Sequence, residues 1–406
     1  YENFAGVVDM KKIKNLALKL YKIAFWICGK SFNKDHSLIV FESFLGKQFS
    51  DNPRALYEYM SIHYPEYRFL WSVDKRYADV FERYDIPYIK RFSLSWMIYM
   101  NKATLWISNS RLPLWIPKPK GTTYLQTWHG TPLKKLAVDM EEVHMPGTDT
   151  ERYKKNFTRE SAKWDFLISP NEYSSEIFKR AFRFEDKMLE TGYPRKDFLF
   201  TNSDDEAIKN LKKDLDLPAD KKVILYAPTW RDDSYHGKGR YKFNLEFDMK
   251  KMYETLSDEY VIILRLHYLV SENLNISEYE GFIYDYSKYE EIRDLYVISD
   301  MLITDYSSVF FDYANLERPM IFYVYDIDNY RDKLRGFYFD FEKKAPGPLV
   351  TTTDELLAAI EKTKTEDFNE VYNTEEFRSR FGALEDGKAS QRVADEVICY
   401  LRSKIV

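Results

Sequence analysis

The sequence predicts an α/β protein built from two doubly wound parallel sheets, and three observations predict it. Short continuous apolar runs, as expected of strands covered on both faces, alternate with helix-like segments along most of the 406 residues. The alternation falls into two series, and a chain of this length suits two domains better than one. Polar clusters stand just after the strands, where open α/β sheets hold their ligands.

The chain opens on a basic amphipathic segment, residues 1–36. Lys11, Lys12, Lys14, Lys19, Lys22, Lys30 and Lys34 precede Asp35 with no acid among them after Met10. Ile13, Leu16, Leu20, Ile23 and Ile27 recur at helical spacing, with Leu18, Phe25 and Trp26 widening the apolar face. Interspersed lysines argue against a signal peptide, whose apolar core is clean. A basic helix with aromatic residues suits a membrane surface. The same periodicity equally suits a helix packed on its own domain. No stretch approaches the ~20 apolar residues of a membrane span.

The first series then runs through Ser37–Phe41, Arg68–Val73, Thr104–Ser108, Thr123–Gln126 and Phe166–Ser169 as strands. Pro53–Ile62 follows an Asp51-Asn52 cap as a helix, and Ser174–Phe182 reads as another. The second series has strands at Val223–Ala227, Tyr260–Leu266, Phe282–Tyr284, Met301–Thr304 and Met320–Val324. The boundary falls near Gly192–Asn202, which divides the chain into domains at 37–196 and 197–350. Residues 351–406 are expected to be helices packing back across both.

Composition narrows the function classes. A net charge of −5 gives no general attraction for polyanions, so no nucleic-acid partner is expected and any phosphate binding must be local. The only two cysteines, Cys28 and Cys399, sit at opposite ends of the chain and form neither a disulfide framework nor a metal cluster. Nothing reads as a metal cage, and no cofactor is expected.

Four polar clusters carry candidate chemistry. In Gln126–Lys134, His129 stands between a strand end and Gly130 and Pro132, placed to act as a base or to satisfy a turn. In Ala227–Asp233, the paired Asp232-Asp233 lacks the spacing usual in nucleotide-sugar metal sites, so Thr229 and Arg231 are the candidates. Arg265 and His267 are two apart at a strand end and so share a face, which suits a phosphate or a salt bridge. Ser299–Asp312 reads as strand, hydroxyl-rich loop, then helix. Ser307, Ser308 and the backbone N–H groups there form either an anion site or an ordinary helix cap.

Six motifs in order carry a family resemblance. They are Ser50–Arg54, Thr127–Pro132, Gly192–Arg195, Ala227–Arg231, Arg265–His267 and Thr304–Ser308. Together they resemble the CDP-glycerol:poly(glycerophosphate) glycerophosphotransferases, the teichoic acid primases and polymerases, over about Ser37 to Gly347. The resemblance implies a GT-B-like pair of Rossmann-type domains facing a cleft, the first for acceptor and the second for CDP donor. Its two essential histidines fall on His129 and His267; Tyr268 stands where the family often has proline.

The implied reaction moves an alditol phosphate from a CDP-activated donor to an undecaprenyl-linked teichoic acid precursor, at the cytoplasmic face of a bacterial membrane. CDP-glycerol is the expected donor; a CDP-ribitol enzyme of the same family and a GT-B nucleotide-sugar transferase are the alternatives. His129 is the expected base, with Trp128, Gly130, Thr131 and Lys134 on the acceptor side. Donor contacts are expected from Arg195, Thr229, Arg231, Arg265, Thr304, Asp305, Ser307, Ser308 and Asp312. A basic stretch from Lys134 to Lys163, with Arg152 and Arg159, either guides a polyanionic acceptor or is a solvated face diluted by Glu141, Asp149 and Glu160.

Overall fold

Residues such as Leu38–Phe41, Leu105–Ile107 and Ile262–Leu264 have no polar face to leave in water, so they form strands buried on both sides. The computed structural model describes residues 2–143, 148–229, 245–266, 275–327 and 336–404, with side chains from Lys12 onward. The first sheet contains β1 (Asp35–Glu42), β2 (Arg68–Val73), β3 (Tyr88–Lys90), β4 (Ala103–Ser108), β5 (Thr123–Gln126), β6 (Phe166–Ser169) and β7 (Lys187–Glu190). The second contains β8 (Lys222–Tyr226), β9 (Tyr260–Leu264), β10 (Ile283–Asp285), β11 (Met301–Thr304), β12 (Met320–Tyr323) and β13 (Leu349–Val350). Their orders are β3-β2-β1-β4-β5-β6-β7 and β10-β9-β8-β11-β12-β13, and every pairing is parallel. Each sheet therefore reverses direction between its first and fourth strands, and each has one switch-point crevice there.

The helices that matter for the site are α1 (Glu2–Ser31), α2 (Asp51–His63), α3 (Leu94–Lys102), α4 (Thr150–Ser161), α5 (Glu172–Phe182), α6 (Ile292–Ile298), α7 (Val309–Tyr313) and α8 (Ala389–Ser403). Three strands were not expected from the sequence: β3, β7 and β13. All are edge strands of two to four residues with partly exposed faces, so they carry no apolar run to recognise. The last helix returns to the first domain, where Val393, Val397, Ile398 and Leu401 join a core with Leu56, Met60 and Trp71.

The structure gives α1 two faces. Phe25, which periodicity places on one broad apolar face, is fully buried against Trp96 of α3 and Trp115, and Tyr21 donates to the Ser93 carbonyl. Lys34 is likewise no surface lysine. Its amine donates to the Asn101 carbonyl at 2.7 Å, and burial lowers its pKa to about 8. The remaining stripe of Ile13, Leu16, Leu20, Ile23, Trp26 and Ile27 is half exposed or more. Of the two roles that the periodicity allows, packing on its own domain accounts for one face, and the other face is left bare. No helix among the described residues is long and apolar enough to cross a membrane.

Candidate active site

The loops leaving the two switch points meet. In the first domain, the segment after β1 and the segment after β4 are tied together: the Phe44 N–H donates to Asn109 Oδ1 at 2.8 Å, and Asn109 Nδ2 donates to Ser43 Oγ. The turn after β5 lies beside them. Trp128 takes a left-handed backbone conformation (φ 52°), a cost of about 1–2 kcal/mol for a bulky residue. Packing of its indole against Phe182, at 4.6 Å between ring centroids, offsets that cost.

That turn displays one side chain. Thr127, Trp128, Gly130 and Thr131 are buried, while His129 is exposed. Its ring stacks on Trp128 at 4.6 Å and meets the edge of Phe44 at 5.7 Å. His129 Nδ1 lies 2.8 Å from the Asn109 carbonyl oxygen. A carbonyl only accepts, so Nδ1 carries the proton and Nε2 of the neutral ring keeps its lone pair. Although open to solvent on one side, the ring is hemmed in by protein elsewhere. That desolvation lowers its pKa, against opposing pulls from Asp51 and the Asn109 carbonyl. The neutral, basic form is therefore the dominant one near pH 7.

In the second domain, the segments after β8 and β11 are joined in the same way. Thr304 Oγ1 donates to the Ala227 carbonyl at 2.7 Å, and Asp305 Oδ1 accepts from the backbone N–H of Thr229 (2.8 Å) and of Ser307 (3.1 Å). Thr304 and Asp305 thus shape the loop. Ser307 and Ser308 are half-buried, and Ser308 occupies the N-cap position of α7 without making a capping bond. Among the described residues neither hydroxyl hydrogen-bonds to protein. The helix behind them is only five residues long, so the hydroxyls and loop N–H groups, rather than a long helix dipole, are what the loop offers an anion. A Cβ placed on Gly130 would come within 3.0 Å of Ser308 Oγ, so the histidine loop and the serine loop touch across the cleft.

Other expected donor residues among those described have protein partners for their charges or polar groups, although Arg195 lies near enough to His129 to help lower its pKa. Arg195 bridges Asp51 (3.0 Å) and Asp312 (2.8 Å), and all three side chains are buried. Burial opposes its charge, but the two carboxylates outweigh that and raise its pKa well above the ordinary value. Lys196 continues the network to Asp312 (3.5 Å) and Glu385 (3.0 Å). The expected donor contacts of Arg195 and Asp312 are thus taken up by each other. Arg265 Nη1 donates to the carbonyls of Tyr286 and Ser287 at 3.0 and 2.7 Å, and burial lowers its pKa. On the acceptor side, Trp128 backs the imidazole, Thr131 is buried with its hydroxyl unpartnered, and the Lys134 backbone pairs with Phe337 of the second domain. Arg231 and His267 lie outside the described residues.

Two residues that support the site are not among those expected from the sequence to act in it. Asn109 sets the His129 tautomer through its backbone; only its position directly after a strand points to it. Asn52 sits within one of the six motifs and holds the site together. Its Nδ2 donates to the Trp128 carbonyl at 3.2 Å, and its Oδ1 accepts from the Arg195 N–H at 3.1 Å.

The chain is similar to known proteins along most of its length. The family described as CDP-Glycerol:Poly(glycerophosphate) glycerophosphotransferase matches residues 24–399. The chain is 57% identical to a teichoic acid poly(glycerol phosphate) polymerase of Bacillus subtilis (strain 168) over 96% of its own length, but spans only 52% of that relative. It is 54% identical to the corresponding polymerase of Bacillus spizizenii, covering 96% of this chain and 98% of the relative. A solved structure of the wall teichoic acid polymerase TagF, a histidine-to-asparagine variant soaked with CDPG, superposes with a TM-score of 0.89 at 42% identity, covering 98% of both chains.

Proposed function

This chain belongs to the CDP-glycerol:poly(glycerophosphate) glycerophosphotransferase family, and we propose that it transfers glycerol phosphate from CDP-glycerol to the terminal hydroxyl of a lipid-linked poly(glycerol phosphate) acceptor, releasing CMP. One observation carries the reading: a neutral imidazole with a free Nε2 stands on a loop that touches Ser308, one of two adjacent serines whose hydroxyls have no protein partner among the described residues. An alcohol is a weak nucleophile, and a neutral histidine is the natural base for it. Nε2 of His129 takes the acceptor proton as the acceptor oxygen bonds to the phosphorus bearing glycerol. The bond from that phosphorus to the bridging oxygen breaks, and CMP leaves as a phosphate monoester. Phosphoryl transfer depends chiefly on positioning and charge stabilisation. Ser307, Ser308 and the N–H groups of their loop supply this, with Arg265, at the end of another strand of the same sheet, and His267 as the further expected donor contacts.

The acceptor is the undecaprenyl-linked teichoic acid precursor, and α1 holds the enzyme at the cytoplasmic face of the membrane. The bare stripe from Ile13 to Ile27 among exposed Lys12, Lys14, Lys19 and Lys30 supports that placement.

Incubation with a synthetic lipid acceptor and CDP-glycerol, CDP-ribitol or a UDP-sugar tests the reading. CMP release with CDP-glycerol and stepwise lengthening of the product are expected. Turnover only with CDP-ribitol would reassign the donor, and turnover only with a UDP-sugar would overturn the reaction class.

A further inference from the structure

A cavity of about 510 Å³ opens in the first domain between α4 and the segment after β4, outside the histidine and serine loops. Its cations are Arg111 and Arg152, and Asn156 lies beside them. The Arg111 guanidinium stacks on Phe157 at 4.3 Å and on Tyr153 at 5.4 Å, which fixes its plane. Among the described residues neither arginine has an ion-pair partner, so their N–H forks remain available. The acids nearby are otherwise engaged. Asp149 caps α4 by accepting from the Arg152 N–H at 2.7 Å. Glu160 is buried at the back, accepting from the Leu112 N–H at 3.1 Å and from the Trp164 indole at 2.8 Å, and burial raises its pKa to about 7. Glu160 lies within electrostatic reach of Arg111 but makes no ion pair with it, and a stacked planar guanidinium with open N–H groups matches a phosphate in geometry and charge.

The cavity's position gives it a role. The segment that lines it starts at Asn109, whose carbonyl orients His129, and Arg111 follows within about 7 Å of chain. The segment passes Leu114 in the cavity wall and reaches Trp115, which packs against Tyr21 and Phe25 of α1. This segment therefore links the α1 contact, the cavity wall and the residue that orients His129.

Resting on the function proposed above, we infer that the Arg111–Arg152 cavity is a subsite for a phosphodiester of the acceptor chain, one or more units upstream of the attacking hydroxyl. It would hold the polymer while its terminus reacts, and it would discriminate against acceptors that lack such a group.

The test uses a soluble oligomer of three glycerol phosphate units, with glycerol 3-phosphate as the short control. Binding is measured by calorimetry on the full chain and on Arg111→Gln and Arg152→Gln; the second changes an exposed side chain, which protects the experiment against misfolding. Trimer affinity should fall roughly tenfold in each variant, the scale of a lost charge-assisted hydrogen bond. The acceptor KM should rise by a similar factor, with the CDP-glycerol KM unchanged. Undiminished trimer affinity in both variants, or no preference for trimer over glycerol 3-phosphate, overturns the subsite. If the unmodified chain binds trimer through these arginines yet releases no CMP from CDP-glycerol, the reaction fails and the subsite stands.

Discussion

Two of the places where the domains meet treat polar groups in opposite ways. At one, Asp51, Arg195, Asp312, Lys196 and Glu385 form a buried chain of ion pairs, and nearby Arg293 of α6 reaches Glu58 of α2 at 2.8 Å. At the other, the histidine loop touches the serine loop through Gly130 and Ser308, and among the described residues His129 Nε2 and the hydroxyls of Ser307 and Ser308 have no protein partner. The difference separates what fixes the domains from what is left for substrate. Polar side chains that satisfy one another hold geometry, and those left open are available for chemistry.

The largest expected effect is on the buried ion-pair network. Arg195→Ala leaves buried Asp51 without its cation and Asp312 with Lys196 alone, and loss of one partner from such a cluster costs about 3–5 kcal/mol. The chemical-denaturation midpoint should fall accordingly. A cost below about 1 kcal/mol would mean that the network is not what joins the domains.

In the cleft, His129→Ala should lower turnover roughly a hundredfold or more, with the denaturation midpoint nearly unchanged. A matching loss of stability would break the contrast. The pH profile sharpens it. Desolvation lowers the His129 pKa, so the base stays unprotonated further into acid than an ordinary histidine. The acid limb of kcat/KM should therefore turn below pH 6.5, the reference value. An acid limb above that value would assign the titration to another group.

Next in size, Ser307→Ala combined with Ser308→Ala should weaken CMP and CDP-glycerol binding about tenfold, the scale of one or two hydrogen bonds to a charged phosphate. Thermal protection by nucleotide reads this directly, and unchanged protection would return the loop to a structural turn.

The smallest effect belongs to α1, which repeats the contrast on a single helix. One face is committed to Trp96 and Trp115, while the other is bare. Leu16→Ser, Leu20→Ser and Ile23→Ser together should lower binding to anionic vesicles without altering stability. Each exposed lysine adds ~1 kcal/mol near such a surface, screened by salt. Equal vesicle binding by the triple variant would remove the membrane role. Substitution is preferable to deletion, because deletion would also unseat Phe25.

Much of the fold is legible in the order of residues alone. The continuous apolar runs locate most of the inner strands, because burial on both faces leaves no other composition. Edge strands such as Tyr88–Lys90 stay hidden, since half of each faces water. The exposed His129 and the Ser307-Ser308 pair stand out by position, just after strands. Arg195 and Asp312 draw notice as charged residues, because charge shows in a sequence but pairing does not. The cation at 195 and the anion at 312 neutralise each other only once the chain has folded around both. Asn109 acts through a carbonyl, and a backbone group leaves no trace in residue identity.

The return of α8 to the first domain has a consequence for how the molecule is made. The first domain's core around Leu56, Met60 and Trp71 is completed by Val393, Val397 and Leu401, more than three hundred positions later in the chain. During synthesis that core must wait, its apolar surface uncovered, while the whole second domain emerges. That part of the first domain closes only at the end, through contacts of very high sequence separation.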